Sequence, residues 1–321
     1  MKIRTHLLIL PAVALVPLLF FSAMALKNLL EAERTAALRS VQEAARATSL
    51  AVDREWAHAE GLARALGTSD LLATGDFNGV FEQAKKATAS GDLNVALVDD
   101  RGMQIFNTAV PFGTQIPETP PELVAQTERV VAGGVPNVSD VVRGPATGRL
   151  VVIMRVPVQT SRSNTFVVSP WFYAESLKRA FVGTSDSPDR LVAIFDRKGR
   201  TIAINRGPNN LLGELPRADL LAAILGEQSS VLRNESRGGE KLYTMLARSA
   251  VSGWTVAVGV PVHRVEAAAR QAVLLTAVGL ALACALALLA AFLYGRRLVL
   301  AMSGAARSAE LLGQGKVPFA N

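Results

Sequence analysis

A single cysteine in 321 residues, Cys284, excludes any disulfide within the chain, so its folded part must be held by its core alone. Histidine is almost as scarce. His6, His58 and His263 stand far apart, and none belongs to a His-Glu-x-x-His pattern. A glycine-rich phosphate loop and a Gly-x-Ser-x-Gly elbow are also missing. With no nucleophile beside a base and an acid, no catalytic residue is expected, and neither a metal nor a cofactor is expected. Between Lys27 and Leu66 proline is absent and Gly61 is the only glycine, so nothing there breaks a helix.

Charge is missing from two long runs, Leu7–Leu26 and Ala272–Tyr294, of 20 and 23 residues. At 1.5 Å per residue each is long enough to cross a hydrocarbon core of about 30 Å as a helix. Lys2 and Arg4 precede the first run, and Arg296, Arg297 and Arg307 follow the second. Basic outer flanks predict both ends in the cytoplasm and residues 27–271 outside, which in a bacterium is the periplasm. The rival for the first run is a cleaved secretory signal, with Ala23-Met24-Ala25 as its cleavage site. The run exceeds the usual 7–15-residue core and continues into a helical pattern without a turn, so an uncleaved span is preferred.

The net charge of +7 follows from this layout. Outside residues 27–271 lie six basic residues and one acid, while the segment itself carries 28 basic and 26 acidic residues. The excess is topological, and nucleic acid is not an expected partner.

From Lys27 to about residue 70 apolar and small residues recur at Leu30, Ala37, Val41, Ala45, Val52, Trp56, Ala59, Ala63 and Leu66, with steps of three, four or seven. This predicts a stalk helix continuous with the first span. Its alanine-rich seam suits close packing, either against the same helix of a second subunit or against its own domain.

A duplication follows. Residues 94–106 resemble residues 191–203: each reads as an apolar strand, an Asp-x-x-Gly turn (Asp99 and Gly102, Asp196 and Gly199) and a return strand. In both copies an acid–leucine pair, Glu122-Leu123 and Asp219-Leu220, opens a helix 23 residues after the turn aspartate. In the first copy Thr119, Pro120 and Glu122 read as a capping box, and Gly133 and Gly226 read as left-handed helix ends. Strands are expected at 138–143, 150–156 and 165–169, and again at 230–233, 242–247 and 254–260. Each copy closes on a proline, Pro170 or Pro261, followed by a helix, 171–182 or 262–271. The fold class is therefore α+β, two modules with antiparallel sheets and a helix on one face.

The segments Val95-Ala96-Leu97-Val98-Asp99 with Gly102, Val138-Ser139-Asp140-Val141, and Ser252-Gly253-Trp254-Thr255-Val256-Ala257-Val258-Gly259-Val260-Pro261 resemble the periplasmic double Cache sensors of bacterial histidine kinases and chemoreceptors. The resemblance covers nearly the whole chain and implies two PAS-like modules, membrane-distal over 71–182 and membrane-proximal over 183–271. It also implies a ligand in the distal module and a homodimer along the stalk. Residues 295–321 resemble the first half of a HAMP relay, with Ala305, Ala306, Ala309, Leu312 and Gly315 compatible and Ala301 where proline is common. Because the second HAMP helix is not in the sequence, the chain reads as the sensor part of a longer protein or as a truncated product.

One charge stands out in the distal module. Arg155 interrupts the apolar strand Val151-Val152-Ile153-Met154-Arg155-Val156 and shares a face with Val151 and Ile153, whereas the second copy has Leu246 at that place. An inward arginine needs a partner. Asp140, Arg143, Asn107 and Thr108 are candidates to line the same cavity, with an Arg155–Asp140 pair as the structural alternative. An arginine-lined pocket favours a small carboxylate-bearing solute. The amino-acid-sensing subgroup carries an arginine with a tryptophan–tyrosine signature; here Trp171-Phe172-Tyr173 is expected in the closing helix, so amino acids are not the preferred ligands. The predicted function is a transmembrane signal receptor feeding a histidine kinase. The alternatives are a chemoreceptor or diguanylate cyclase sensor, a membrane-tethered hydrolase, or a partner-binding protein without ligand.

Overall fold

The structure is a computed structural model and describes residues 3–89, 91–183, 190–207, 209–226 and 231–313. It divides into two compact units, residues 37–263 and the pair of segments 1–36 and 264–321. Helix α1 runs from Ile3 to Gly67, and α6 from Val262 to Gly313. Among the described residues one helical stretch, Val262–Tyr294 with mean hydropathy 2.6, is long and apolar enough to cross a membrane. Most side chains of the first apolar run, the stretch 314–321 of the relay-like segment and the expected strand start at Ser230 lie outside the described residues.

Within residues 37–263, α1 is followed by α2 (Asp70–Thr74), α3 (Phe77–Ala87), β1 (Leu93–Asp99), β2 (Gln104–Asn107), α4 (Pro121–Gly133), β3 (Asn137–Val138), β4 (Val142–Arg143), β5 (Leu150–Gln159) and β6 (Thr165–Tyr173). A 3-10 turn over Ala174–Phe181 leads to β7 (Leu191–Phe195), β8 (Thr201–Ile204), α5 (Ala218–Leu225), β9 (Leu232–Glu235), β10 (Lys241–Arg248) and β11 (Thr255–Pro261). The two sheets have the same antiparallel order, β2-β1-β6-β5-β3 with β4 also on β5, and β8-β7-β11-β10-β9. This is the duplicated α+β architecture that the sequence predicts.

The turn chemistry explains why the copies fold alike. Asp99 Oδ1 accepts the amides of Arg101 and Met103 at 3.0 and 2.7 Å, and Asp196 Oδ1 accepts those of Lys198 and Arg200 at 2.9 and 2.8 Å. Three residues on, Gly102 and Gly199 take φ of +84° and +78°, which a side chain disfavours. A Cβ on Gly102 would stand 3.1 Å from Val124 Cα of α4, and one on Gly199 would run into Leu221 of α5. In both copies the module's own helix therefore lies directly over the turn.

Strand alternation gives each sheet two apolar faces. Val95, Leu97, Val152, Met154 and Phe172 of the first sheet, and Val192, Ile194, Val256 and Val258 of the second, join the core that includes Val52, Trp56, Ala59 and Ala63 of α1. The opposite faces pack on the local helices, Ala96, Val151, Ile153 and Trp171 with Leu123, and Ala193, Phe195 and Ala257 with Ile224. From Val41 to Leu66 the alanine-rich seam of α1 is thus buried in the chain's own core. At its centre the Trp56 ring meets Phe172 edge-on at 5.3 Å and Trp254 at 5.4 Å.

Several local expectations are corrected. Helix α4 has no side-chain cap; Pro120 takes the cap position, and Thr119 is buried elsewhere. The left-handed end falls on Gly134 (φ +65°), and Gly226 ends α5 at φ −85°. The expected strand 138–143 is broken into β3 and β4, because the Ser139 hydroxyl donates to the Asp140 carbonyl at 2.7 Å while accepting the Ile153 amide at 3.1 Å. Pro170 does not end its strand. It sits inside β6 opposite Val95, and β6 runs on to Tyr173.

Candidate functional site

The front face of the first sheet, between β1, β5, β6 and α4, carries a cavity of about 40 Å³. At 10–15 Å³ per enclosed water this is room for about three water-sized groups. Its floor comes from Ala96 and Val98 of β1, Val151, Ile153 and Arg155 of β5, and Ser169 and Trp171 of β6. Leu123 and Thr127 of α4, Gln104 and Asn107 of β2, Thr119 and the loop 144–147 complete the walls.

Arg155 is placed here by strand alternation and by a gap in the ladder. The β5–β6 pairing runs from Val151↔Tyr173 to Ile153↔Trp171 and resumes only at Val156↔Val168. Pro170, which has no N–H to donate, lies in that gap. Met154 and Arg155 pair instead with Val138 and Asn137 of β3. The side chain is 3% exposed, and Nη1 donates to the neutral amide oxygen of Gln126 at 2.9 Å. No carboxylate pairs with it among the described residues, and no aspartate or glutamate lines the cavity. Burial, reinforced by the nearby Arg129 charge, lowers its pKa to about 10, so the guanidinium stays charged at neutral pH.

A second donor lines the same cavity. Trp171 Nε1–H is buried with no acceptor among the described residues, and Ser169 beside it is 3% exposed. A buried cation held by one neutral amide, next to an indole N–H without an acceptor, is a site short of an anion. Such a fork-shaped donor matches a carboxylate bidentately.

Of the five residues predicted from sequence, Asn107 and Arg155 line the cavity. Asn107 Nδ2 donates to Gln104 Oε1 at 3.2 Å, and its Oδ1 accepts the Ala109 amide at 3.2 Å, so it shapes one wall. Thr108 is turned to the backbone, its Oγ1 accepting the Val95 amide at 2.9 Å. Asp140 is not the partner of Arg155. The strand break at Ser139 turns it to the second module, where Oδ1 meets Arg197 Nε at 2.8 Å. Arg143 is exposed and donates to the Gly148 carbonyl at 3.1 Å. Trp171, Ser169, Thr119 and Gln104 were not anticipated. The signal for Trp171 and Ser169 was their alternation with Val167, hidden because Pro170 reads as a strand end. Trp171 and Tyr173 stack edge-on at 5.1 Å on strand β6 and not in the closing helix, which removes the ground for setting amino acids aside.

No protein-family model matches the sequence, and no curated protein is found similar to it in sequence. Solved structures are. The ligand-binding domain of the Campylobacter jejuni chemoreceptor Tlp3 in complex with L-norvaline superposes with a TM-score of 0.54 at 14% identity, covering 73% of this chain and 94% of that one. That of the Pseudomonas fluorescens chemoreceptor CtaA in complex with L-isoleucine gives 0.55 at 11% identity, covering 74% and 97%. That of the Pseudomonas aeruginosa amino-acid chemoreceptor PctB with L-Arg gives 0.51 at 13%, covering 69% and 94%. The chain has the fold of chemoreceptor sensor domains. The double Cache architecture expected from the residues is thus the one found, and the Arg155 cavity occupies its first module.

The two modules are also joined through an ionisable group. Asp196 is fully buried, and its Oδ2 accepts the Val141 amide of the first module at 3.2 Å. Burial raises its pKa, with the Arg200 amide opposing and the Asp140 charge adding to the rise. For an acid whose folded pKa lies above its unfolded value near 3.9, ionisation costs stability; the cost is absent below that value and grows as pH rises through the folded pKa. Urea unfolding should therefore show wild type losing stability relative to Asp196→Asn as pH rises from about 4 and levelling off once Asp196 is ionised. A pH-independent difference would contradict it.

Proposed function

We propose that the chain is a transmembrane receptor whose first module binds a small carboxylate, and that the observation carrying this is Arg155, buried without a counter-ion in a small cavity beside the orphan indole of Trp171. In this reading residues 7–26 and 272–294 cross the inner membrane, 27–70 form the stalk, and residues 1–6 and 295–321 are cytoplasmic. Residues 71–182 and 183–271 are the membrane-distal and membrane-proximal modules in the periplasm. The apolar stretch Val262–Tyr294 supports the second crossing. The small cavity and the absence of acidic lining residues favour a monocarboxylate of a few heavy atoms, since no carboxylate lines it to meet an ammonium group.

A second reading, an amino-acid ligand, is favoured by Trp171 and Tyr173 on strand β6 and by the ligands named for the Tlp3, CtaA and PctB domains. For the output, those chemoreceptor domains favour a chemoreceptor, and the relay-like run after residue 294 suits a histidine kinase equally. The stalk seam beyond the buried part, at Leu30 and Ala37, is the place proposed for pairing with a second copy. Ligand binding biases the receptor only through a difference in affinity between its two signalling states.

Thermal melting of the full chain in nanodiscs against acetate, propionate, lactate, pyruvate, glycine, alanine and ethylamine tests the binding claim. A monocarboxylate should stabilise in a dose-dependent way, by about 2.7 kcal/mol at a hundred times its Kd. A response only to amino acids would favour the second reading; no response to any carboxylate would refute the first.

A further inference from the structure

The second module contains a cavity of a different kind. On the front face of its sheet, beneath α5, lies a space of about 500 Å³, against about 40 Å³ in the first module. The strand registers explain the difference. In the first sheet Trp171 stands opposite Asn94 of β1 and Ile153 of β5. In the second, Gly259 stands opposite Leu191 of β7 and Thr244 of β10, and Leu191 is the duplicate of Asn94. Gly259 is therefore the counterpart of Trp171. Where the first module puts an indole that is 4% exposed, the second puts no side chain.

The space is built as a binding site. Its floor is apolar, with Ala193, Leu242 and Ala257, and Leu220 of α5 forms a wall. One buried amide breaks that surface: Asn234, 6% exposed, accepts the Thr244 hydroxyl at 2.7 Å on Oδ1. At the mouth three guanidinium groups, Arg206, Arg217 and Arg237, face two carboxylates, Glu235 and Glu240. Arg217 is matched by Glu235 at 3.5 Å and Arg237 donates to the Leu215 carbonyl, whereas Arg206 meets no carboxylate among the described residues. A cavity of several hundred cubic ångströms with apolar walls and a few polar groups is the usual form of a small-molecule site.

We infer that the second module is a separate binding site for an amphiphilic organic anion, with an apolar body over Ala193 and Ala257 and an anionic head at the Arg206 side of the mouth. Its occupant is larger and more apolar than anything the Arg155 cavity admits. The inference stands on the second module's geometry and does not require the Arg155 reading.

Isothermal titration of the full chain in nanodiscs with phenylbutyrate, against empty nanodiscs, tests it. One site per chain is expected. Binding should persist in Arg155→Leu, which separates the two sites. It should fall by about tenfold or more in Ala193→Leu, which fills the floor, and about fivefold at most in Arg206→Gln, as an exposed ion pair allows. Should Ala193→Leu melt early, Leu220→Trp fills the same space from the half-buried wall. Phenylbutanol, which keeps the body and lacks the charge, should bind more weakly. No heat beyond that of empty nanodiscs, binding untouched by both filling variants, loss of binding in Arg155→Leu, or equal affinity for phenylbutanol would overturn the proposal.

Discussion

Arg155→Leu should make the ligand-free protein more stable and at the same time deaf to carboxylates. The two effects have one cause. A buried guanidinium without a carboxylate has lost its hydration and recovered one hydrogen bond to a neutral amide, that of Gln126. Its lowered pKa, about 10, is the same cost expressed as proton affinity. Replacing a buried charge by a well-packed apolar side chain is often stabilising by about 1–4 kcal/mol, and the homologous position in the second sheet already carries leucine, Leu246 opposite Ala257. Urea unfolding of the full chain should show a gain at the lower end of that range, because Gln126 is left without its donor. Arg155→Lys separates charge from shape. It keeps the cation, should show no such gain, and should bind carboxylates weakly for want of the planar fork. If Arg155→Leu were instead destabilising by several kcal/mol, the arginine would be a structural strut and the cavity a packing defect.

The second large effect is expected at Trp56. Its side chain is fully buried and edge-on to both Phe172 and Trp254, so one residue of α1 contributes to the cores of both sheets. Truncation to alanine should cost about 3–5 kcal/mol, the range for a large aromatic lost from a packed core. The loss should appear in both modules, read as faster amide exchange in β6 and β11 together. Trp56→Phe is the informative control. The indole N–H of Trp56 has no acceptor among the described residues, so phenylalanine gives up ring area and no hydrogen bond. It should cost a minor fraction of the alanine effect. Loss of protection in one sheet alone would mean that the modules fold independently.

Much of this fold is legible in the sequence because its determinants are local. The Asp-x-x-Gly turns announce themselves twice, and the seam of α1 shows a helical period over its whole buried length. The Arg155 cavity is half legible. Arg155 is conspicuous as a charge in an apolar strand, and alternation alone assigns its face. Its surroundings were not, for reasons that reside in tertiary structure. The sequence pattern sets Asp140 beside it, but a hydroxyl–carbonyl contact at Ser139 breaks the strand and turns that carboxylate to Arg197 in the other module. In the sequence Trp171 reads as helical because Pro170 reads as a stop. In the fold Pro170 is tolerated within β6 where the β5–β6 ladder lapses. The size of the second cavity depends on a pairing, Trp171 with Gly259, that only the two registers reveal.

The central claim is that a carboxylate occupies the cavity shared by Arg155 and Trp171. With three tryptophans in the chain, indole N–H resonances report on it directly, and Trp171→Phe identifies the signal that matters. Titrating the labelled full chain with a small monocarboxylate such as propionate should move the Trp171 resonance saturably, as its orphan N–H gains an acceptor, and Arg155→Leu should abolish the shift. A Trp171 signal that stays in place while acetate, propionate, lactate and pyruvate are each raised to saturating concentration would contradict the account.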